Sequence, residues 1–312
     1  MRPLVLLLTF FIAWNVFGQI TTNGVRLIQK TDRVTVEIDG KLFTEYCYSN
    51  TSRPYLFPML APGQISMTRH WPMQNPPGEE HDHPHHRAWW YAHGNVNGHD
   101  FWMEGAQAGK TVHHQFLDIK SGPNEGILKT STKWMTAKGE SLMTDERIYR
   151  FSREGEDRVL DFQITLIASE TDLVFGDTKE GTMAMRVAES MRVKGEHATG
   201  HILNSEGMID GNTWGKRARW CAYYGKSEDK AVGVAIFDHP SNFRHPTWWH
   251  VRDYGLFAAN PFGIHDFEKQ PGKPGEMPLK KGERKTFKYR FLFYQGERSR
   301  EQLDKSFTLF AQ

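Results

Sequence analysis

HHQFLDIKSG (113–122), GILKTSTKWMTA (126–137), ESLMTDERIYRFSREG (140–155) and RVLDFQITLIAS (158–169) follow one another with only a few Gly, Pro, Asn, Lys, Glu or Asp residues between them. Each run mixes apolar and polar residues close to period two and holds many β-branched and aromatic side chains, the pattern of half-buried strands joined by tight turns. Upstream, RVTVEIDGKLFTEYCY (33–48) alternates on both sides of Asp39-Gly40, which predicts a hairpin with a type I′ turn. Downstream, AVGVAIF (231–237) reads as a buried strand whose end delivers Asp238 and His239, and KTFKYRFLFY (285–294) as a late alternating strand. Residues 54–84 hold seven of the fifteen prolines and predict a long ordered loop with one short strand at Gln64–Thr68. Only SREQLDKSFTLF (299–310) has helical spacing, with Leu303, Phe307 and Phe310 on one face. The fold class expected is all-β: a large antiparallel β-sandwich with a short C-terminal helix. No period of a propeller or solenoid is present.

The first eighteen residues read as a signal peptide. Arg2 supplies the positive start, residues 3–14 the apolar stretch, and Val16-Phe17-Gly18 the small residue before a cut that leaves Gln19 first. The apolar run falls short of the ~20 residues that span a bilayer, and no later stretch reaches that length. Residues 19–312 are therefore expected as one exported domain, periplasmic or extracellular, with no membrane span once the leader is removed. The net charge of +2 and the scattered basic residues argue against nucleic acid as a partner. Cys47 and Cys221 form no CxxC motif; they could pair in an oxidising compartment, but two separate buried thiols are the preferred reading.

Six of the fifteen histidines fall in HDHPHHRAWWYAHGNVNGHDFW (81–102). On a strand His81, His83 and His85 would share a face, but Pro84 favours an edge or loop. The short spacing allows these three imidazoles to hold a divalent metal, the one cofactor the segment suggests, and equally allows a metal-free polar site in which His83, His85 and His86 do acid–base work. Arg87 suits a carboxylate or vicinal hydroxyls, or a salt bridge that braces the loop. Asn97-Gly98 reads as a turn.

DHPSNFRHPTWWH (238–250) echoes this run: Asp-His-Pro, then Arg and His, then Trp-Trp. Two such segments suggest one site fed from two places, with His85 or His86 and His245 in the same cleft. Arg244, His245 and His250 then become binding or acid–base candidates, and Trp89, Trp90, Trp248 and Trp249 candidates to stack on a sugar ring or brace its pocket. An opposing carboxylate is expected from Glu180 in GDTKEG or Glu206 in NSEG, while Glu189 reads as a strand residue and Lys216 and Arg217 as a solvated turn.

RPYLFPMLAPG (53–63), the histidine run, GDTKEGTMAMRVAE (176–189), NSEG (204–207), WGKRARW (214–220) and DHPSNFRHPTWWHVRDYGLFAANPFG (238–263) together resemble the bacterial family catalogued as "PmoA family protein" or "methane oxygenase PmoA". The membrane methane monooxygenase subunit of that name has several spanning helices, which this sequence lacks, so the name does not describe this chain. Family members occur in bacteria that degrade complex polysaccharides, which implies a role near carbohydrate use. The expected sandwich also resembles the galactose-mutarotase-type supersandwich, in which histidines and a glutamate on a concave face act on a sugar. The resulting expectation is an exported protein acting on a small carbohydrate or glycan by acid–base chemistry, as epimerase, lyase or hydrolase. The alternatives are a metal-dependent hydrolase or oxygenase built on His81, His83 and His85, and a non-catalytic glycan-binding protein.

Overall fold

The computed structural model describes residues 23–269 and 275–312; the expected leader lies outside them. Two eight-stranded sheets dominate, with every neighbouring pair antiparallel. The first runs, in spatial order, through Val25–Gln29, Arg33–Ile38, Lys41–Cys47, Tyr55–Leu56, Trp89–His93, Gly181–Arg186, Leu256–Asn260 and Trp248–Val251. The second runs through His201–Asn204, Trp220–Ser227, Lys230–Asp238, Arg284–Gln295, Asp157–Ile167, Ser141–Glu154, Glu125–Met135 and Lys110–Lys120. The expected meander is the contiguous run of four strands that ends this second sheet.

The local expectations hold where the chemistry is local. Asp39 and Gly40 adopt φ of 51° and 73°, the two positive values a type I′ turn needs, and Ile38 pairs with Lys41. The segment expected as a strand at Gln64–Thr68 reduces to Ile65–Ser66, paired with Leu60–Ala61. The C-terminal helix spans Arg300–Phe310, opened by a capping box between Ser299 and Gln302. It lays Leu303 and Phe307 on the outer face of the second sheet, against Trp220, Ala222 and Phe237. Cys47 and Cys221 are both buried and unpaired.

The main core lies between the sheets, where alternation sends Trp89 and Tyr91 from the first sheet to meet Phe162 and Phe291 from the second. Trp90 and Ala92 point the other way, to the outer face of the first sheet. Register aligns Tyr55, Trp90, Ala184, Ala258 and His250 in one row across that face. The alanines leave space for a second layer, and Trp102 fills it beside Trp90 at 5.2 Å. This added layer carries the histidine loop. Because Trp89 is 1% exposed at the centre of the inter-sheet core, Trp89→Ala should cost about 3–5 kcal/mol of stability. Urea unfolding of the variant checks this.

Candidate functional site

The histidine run is a loop until Trp89, and a turn organises it. Pro84 takes the second position of a turn closed by the His86 amide donating to the His83 carbonyl at 3.0 Å. The turn stacks His83 on His86 at 4.7 Å and 14°. The stack continues on both sides, from His83 to Tyr254 at 4.9 Å and from His86 to Trp90 at 5.2 Å. His85 stands edge-on to His86 at 4.4 Å. Arg53, buried beneath, donates to the carbonyls of His85, Trp102 and Met103 and so fixes the loop to the layer below.

Asp82 ties this loop to the sheet. Its carboxylate accepts from Arg69, from Arg186 at 3.0 and 3.2 Å, and from Nδ1 of His83 at 2.6 Å. Both guanidinium groups are fully buried. Burial alone would raise the Asp82 pKa, but the His83 hydrogen bond and the two guanidiniums hold it well below the usual carboxylate range. The ionised carboxylate keeps the His83 proton on Nδ1 and leaves Nε2 for another partner. Arg186 also donates from Nη1 to Nδ1 of His86 at 3.2 Å. His86 must then carry its proton on Nε2.

His83, His85 and His86 line one wall of a pocket of about 380 Å³, with Met103 at its rim. Lys179 and Glu180 come from the loop before Gly181–Arg186, and His250, Arg252 and Tyr254 from the second Asp-His-Pro segment. Gly94 makes room for Glu180, since a Cβ there would stand 2.8 Å from the Glu180 Cβ. Glu180 pairs with Lys179 at 3.1 Å and keeps 36% of its side chain exposed. His250 donates from Nδ1 to the Lys179 carbonyl at 2.7 Å, so its Nε2 is an acceptor. Burial pushes His85 and His250 down to about 4, and burial together with His85 and Arg186 holds His86 well below the ordinary imidazole value. These three imidazoles are neutral at neutral pH, with the tautomers of His86 and His250 fixed in opposite senses.

The expected site residues divide sharply. His83, His85, His86, Glu180 and His250 come together. Trp90 supports them from beneath, under His86. His81 departs from the cluster and stacks on Trp71 at 4.0 Å. Among the described residues no three His, Cys, Asp or Glu side chains are arranged to hold a metal ion, so the structure does not assemble His81, His83 and His85 as one ligand set. Glu206 is exposed at a distant turn, accepting from Ser205 at 2.8 Å. His245 is not in the cleft: its Nδ1 donates to buried Asp238 at 2.7 Å and its ring lies parallel to Phe307 of the C-terminal helix. Arg244 donates to the carbonyls of Pro261, Gly275 and Glu276 and secures that loop. Arg87 forms a bidentate pair with Glu104 at 2.7 and 2.8 Å, which is the bracing role. Trp89 and Trp249 belong to the inter-sheet core, and Trp248 packs on Ile264 and Phe267 under Arg217. Two DHP segments do feed one pocket, but the second delivers His250 and Arg252 rather than His245.

Sequence reasoning passed over Asp82, Arg186, Arg252 and Tyr254. The signal for Arg252 was its spacing of two from His250, which places both on one side of an extended chain. Arg186 ends the strand GTMAMR, where a charge on an otherwise apolar buried run marks a partnered group.

The sequence profile of a family described as "Family of unknown function (DUF6807)" matches residues 33–308, and the chain belongs to that family. No curated protein matches it significantly. Among solved structures, it is similar to a galactose mutarotase-related enzyme from Lactobacillus acidophilus, at 9% identity and a TM-score of 0.30, covering 86% of this chain and 97% of that one. It is also similar to an α-galactosidase from Lactobacillus brevis, at 10% identity and a TM-score of 0.33, covering 88% of this chain and 40% of that one. A third is a polysaccharide lyase, at 10% identity and a TM-score of 0.36, covering 91% of this chain and 34% of that one.

Two pH and charge effects follow. His85 and His250 have folded pKa values of about 4, below the ordinary value of about 6.5. Their contribution to stability is complete above pH ~6.5 and is lost as pH falls from there toward 4. Melting temperatures recorded between pH 7 and 4 should fall over this window, before the Asp82 contribution begins to fail below pH ~4. Asp82→Asn strands two buried guanidiniums. It should cost about 3 kcal/mol at pH 7, the low end for breaking a buried pair because Asp82 itself is part-exposed. Urea unfolding at that pH reads the loss directly.

Proposed function

We propose that this protein is an exported enzyme acting on a small carbohydrate, with the Asp82–His83 pair as its acid–base group. The observation that carries the reading is that pair in its pocket: a carboxylate fixes Nδ1–H of an imidazole whose Nε2 is left to exchange a proton with a substrate. Glu180, on a different segment of the same pocket, supplies the second proton-transfer position. Two such groups are what epimerisation, elimination and glycoside hydrolysis have in common. The neutral imidazoles favour a polyol. A sugar hydroxyl both donates and accepts, and the wall offers Nε2–H of His86 as donor and Nε2 of His250 as acceptor. The residue pattern at positions 1–18 supports export.

The metal-dependent alternative has less in its favour, because Nδ1 of His83 and Nδ1 of His86 are already engaged and His81 lies on Trp71. Turnover of a sugar panel, followed by NMR, tests the reading. His83→Gln should lower kcat by about 10²- to 10⁴-fold while sugar binding persists. Activity should survive chelation by EDTA. Binding of sugars with no turnover of any of them would make the protein a glycan-binding module. Loss of turnover on chelation, restored by a divalent ion, would move the chemistry to a metal.

A further inference from the structure

The pocket lining holds two cations, Lys179 and Arg252, and one carboxylate, Glu180. Arg69 and Arg186 share the single carboxylate of Asp82, and Arg53 and Arg87 share that of Glu104. Arg69 and Arg186 reach the histidine wall through Asp82, His83 and His86, and Arg53 reaches it through the His85 carbonyl. On the opposite side, Lys179 is paired with Glu180. Arg252 is different. Its guanidinium makes no hydrogen bond or ion pair among the described residues, and its contacts are with two ring faces, Trp214 at 5.6 Å and Tyr254 at 5.5 Å. The two aromatic rings hold the fork in place, and it lines the pocket beside His250. A half-buried guanidinium held between two rings, with no carboxylate on it among the described residues, has the geometry to take an anion.

Resting on the carbohydrate reading above, we infer that the substrate is an acidic sugar, a uronate whose carboxylate binds Arg252. The planar fork matches a carboxylate bidentately. A monoanion fits better than a phosphate dianion because Arg252 is the one cation lining the pocket that is not already paired with a carboxylate among the described residues. A volume of about 380 Å³ is at the small end of ligand sites, which suits one or two sugar rings. The neutral imidazoles of His85, His86 and His250 do not oppose a negative charge there. The carboxylate at Arg252 would also orient the ring, turning its hydroxyls toward His86 and His250 on either side of the pocket.

The test is titration calorimetry of the full mature chain with D-glucuronate and D-galacturonate against D-glucose and D-galactose, and with sodium sulfate and sodium phosphate as bare anions. Wild type is compared with Arg252→Met, which keeps an apolar stem between the two rings, and with Arg252→Lys. Circular dichroism establishes that the variants are folded. The expected result is uronate binding at least tenfold tighter than that of the parent sugars, with this preference abolished in Arg252→Met and partly retained in Arg252→Lys. Equal binding of uronates and neutral sugars, unchanged in Arg252→Met, overturns the acidic-sugar inference and leaves the carbohydrate reading intact. Sulfate or phosphate bound as tightly as a uronate, again through Arg252, overturns it in favour of a plain anion site. No binding of any sugar overturns both.

Discussion

The site depends on one carboxylate. Arg69 and Arg186 are taken fully out of water, and a buried guanidinium without a counter-charge costs several kcal/mol. Asp82 offsets that cost for both, and the geometry it imposes propagates. Arg69 also donates to the carbonyls of Trp71, Glu80, Asp82 and His83, so the proline-rich loop is closed around it. Arg186 belongs to a central strand of the first sheet, so the loop takes its position from the most constrained part of the fold. Asp82 in turn sets the His83 proton, and Arg186 sets that of His86. A single part-buried carboxylate thus fixes loop position, two tautomers and the stack of rings between Trp90 and Tyr254.

Why the outer face of the first sheet can hold such a loop is a matter of side-chain size. A row of Ala184 and Ala258 between Trp90 and His250 is too shallow to be an exterior surface, and Trp102 fills it as a second apolar layer. His85 and His86, placed on that layer, lose hydration and lie near guanidiniums, and both effects favour their neutral form. The result is a polar wall that carries directional donors and acceptors. Charge is instead kept one layer behind it, on Arg53, Arg69 and Arg186, and at the rim, on Arg252 and the Lys179–Glu180 pair.

Much of the fold was legible because its signals are local. Period-two alternation gave the meander at 110–167, Asp39-Gly40 gave its hairpin, and Ser299 with Leu303 and Phe307 gave the helix. The dense histidines around Pro84 form one wall of the pocket, and Glu180 and His250 lie across from them. What could not be read was which way each residue turns. Trp89 and Trp90 are adjacent and identical, yet alternation buries one between the sheets and places the other beneath the site. His93 belongs to the same run, but its strand position points it to Phe175 and Phe262 in the core, where Nε2 meets the Gly176 carbonyl at 2.9 Å. Arg87 and Arg252 look equally suited to bind a ligand; only the three-dimensional position of Glu104 makes one a brace and leaves the other open.

The echo between the two Asp-His-Pro segments is a shared device put to different use. In each, an aspartate accepts from Nδ1 of a nearby histidine, Asp82 from His83 at 2.6 Å and Asp238 from His245 at 2.7 Å. The remaining partners decide the outcome. Asp238 is otherwise satisfied by neutral donors, the Asn242 amide and the Thr247 backbone, and its histidine is covered by Phe307. That arrangement closes a turn and docks the C-terminal helix. Asp82 is instead shared with two buried guanidiniums, and its histidine faces an open pocket. A carboxylate that holds an imidazole is therefore a structural clamp when the ring's far side is covered by an apolar neighbour. Proton transfer needs that side to face a cavity, and in this chain His83 lines a pocket whereas His245 lies against Phe307.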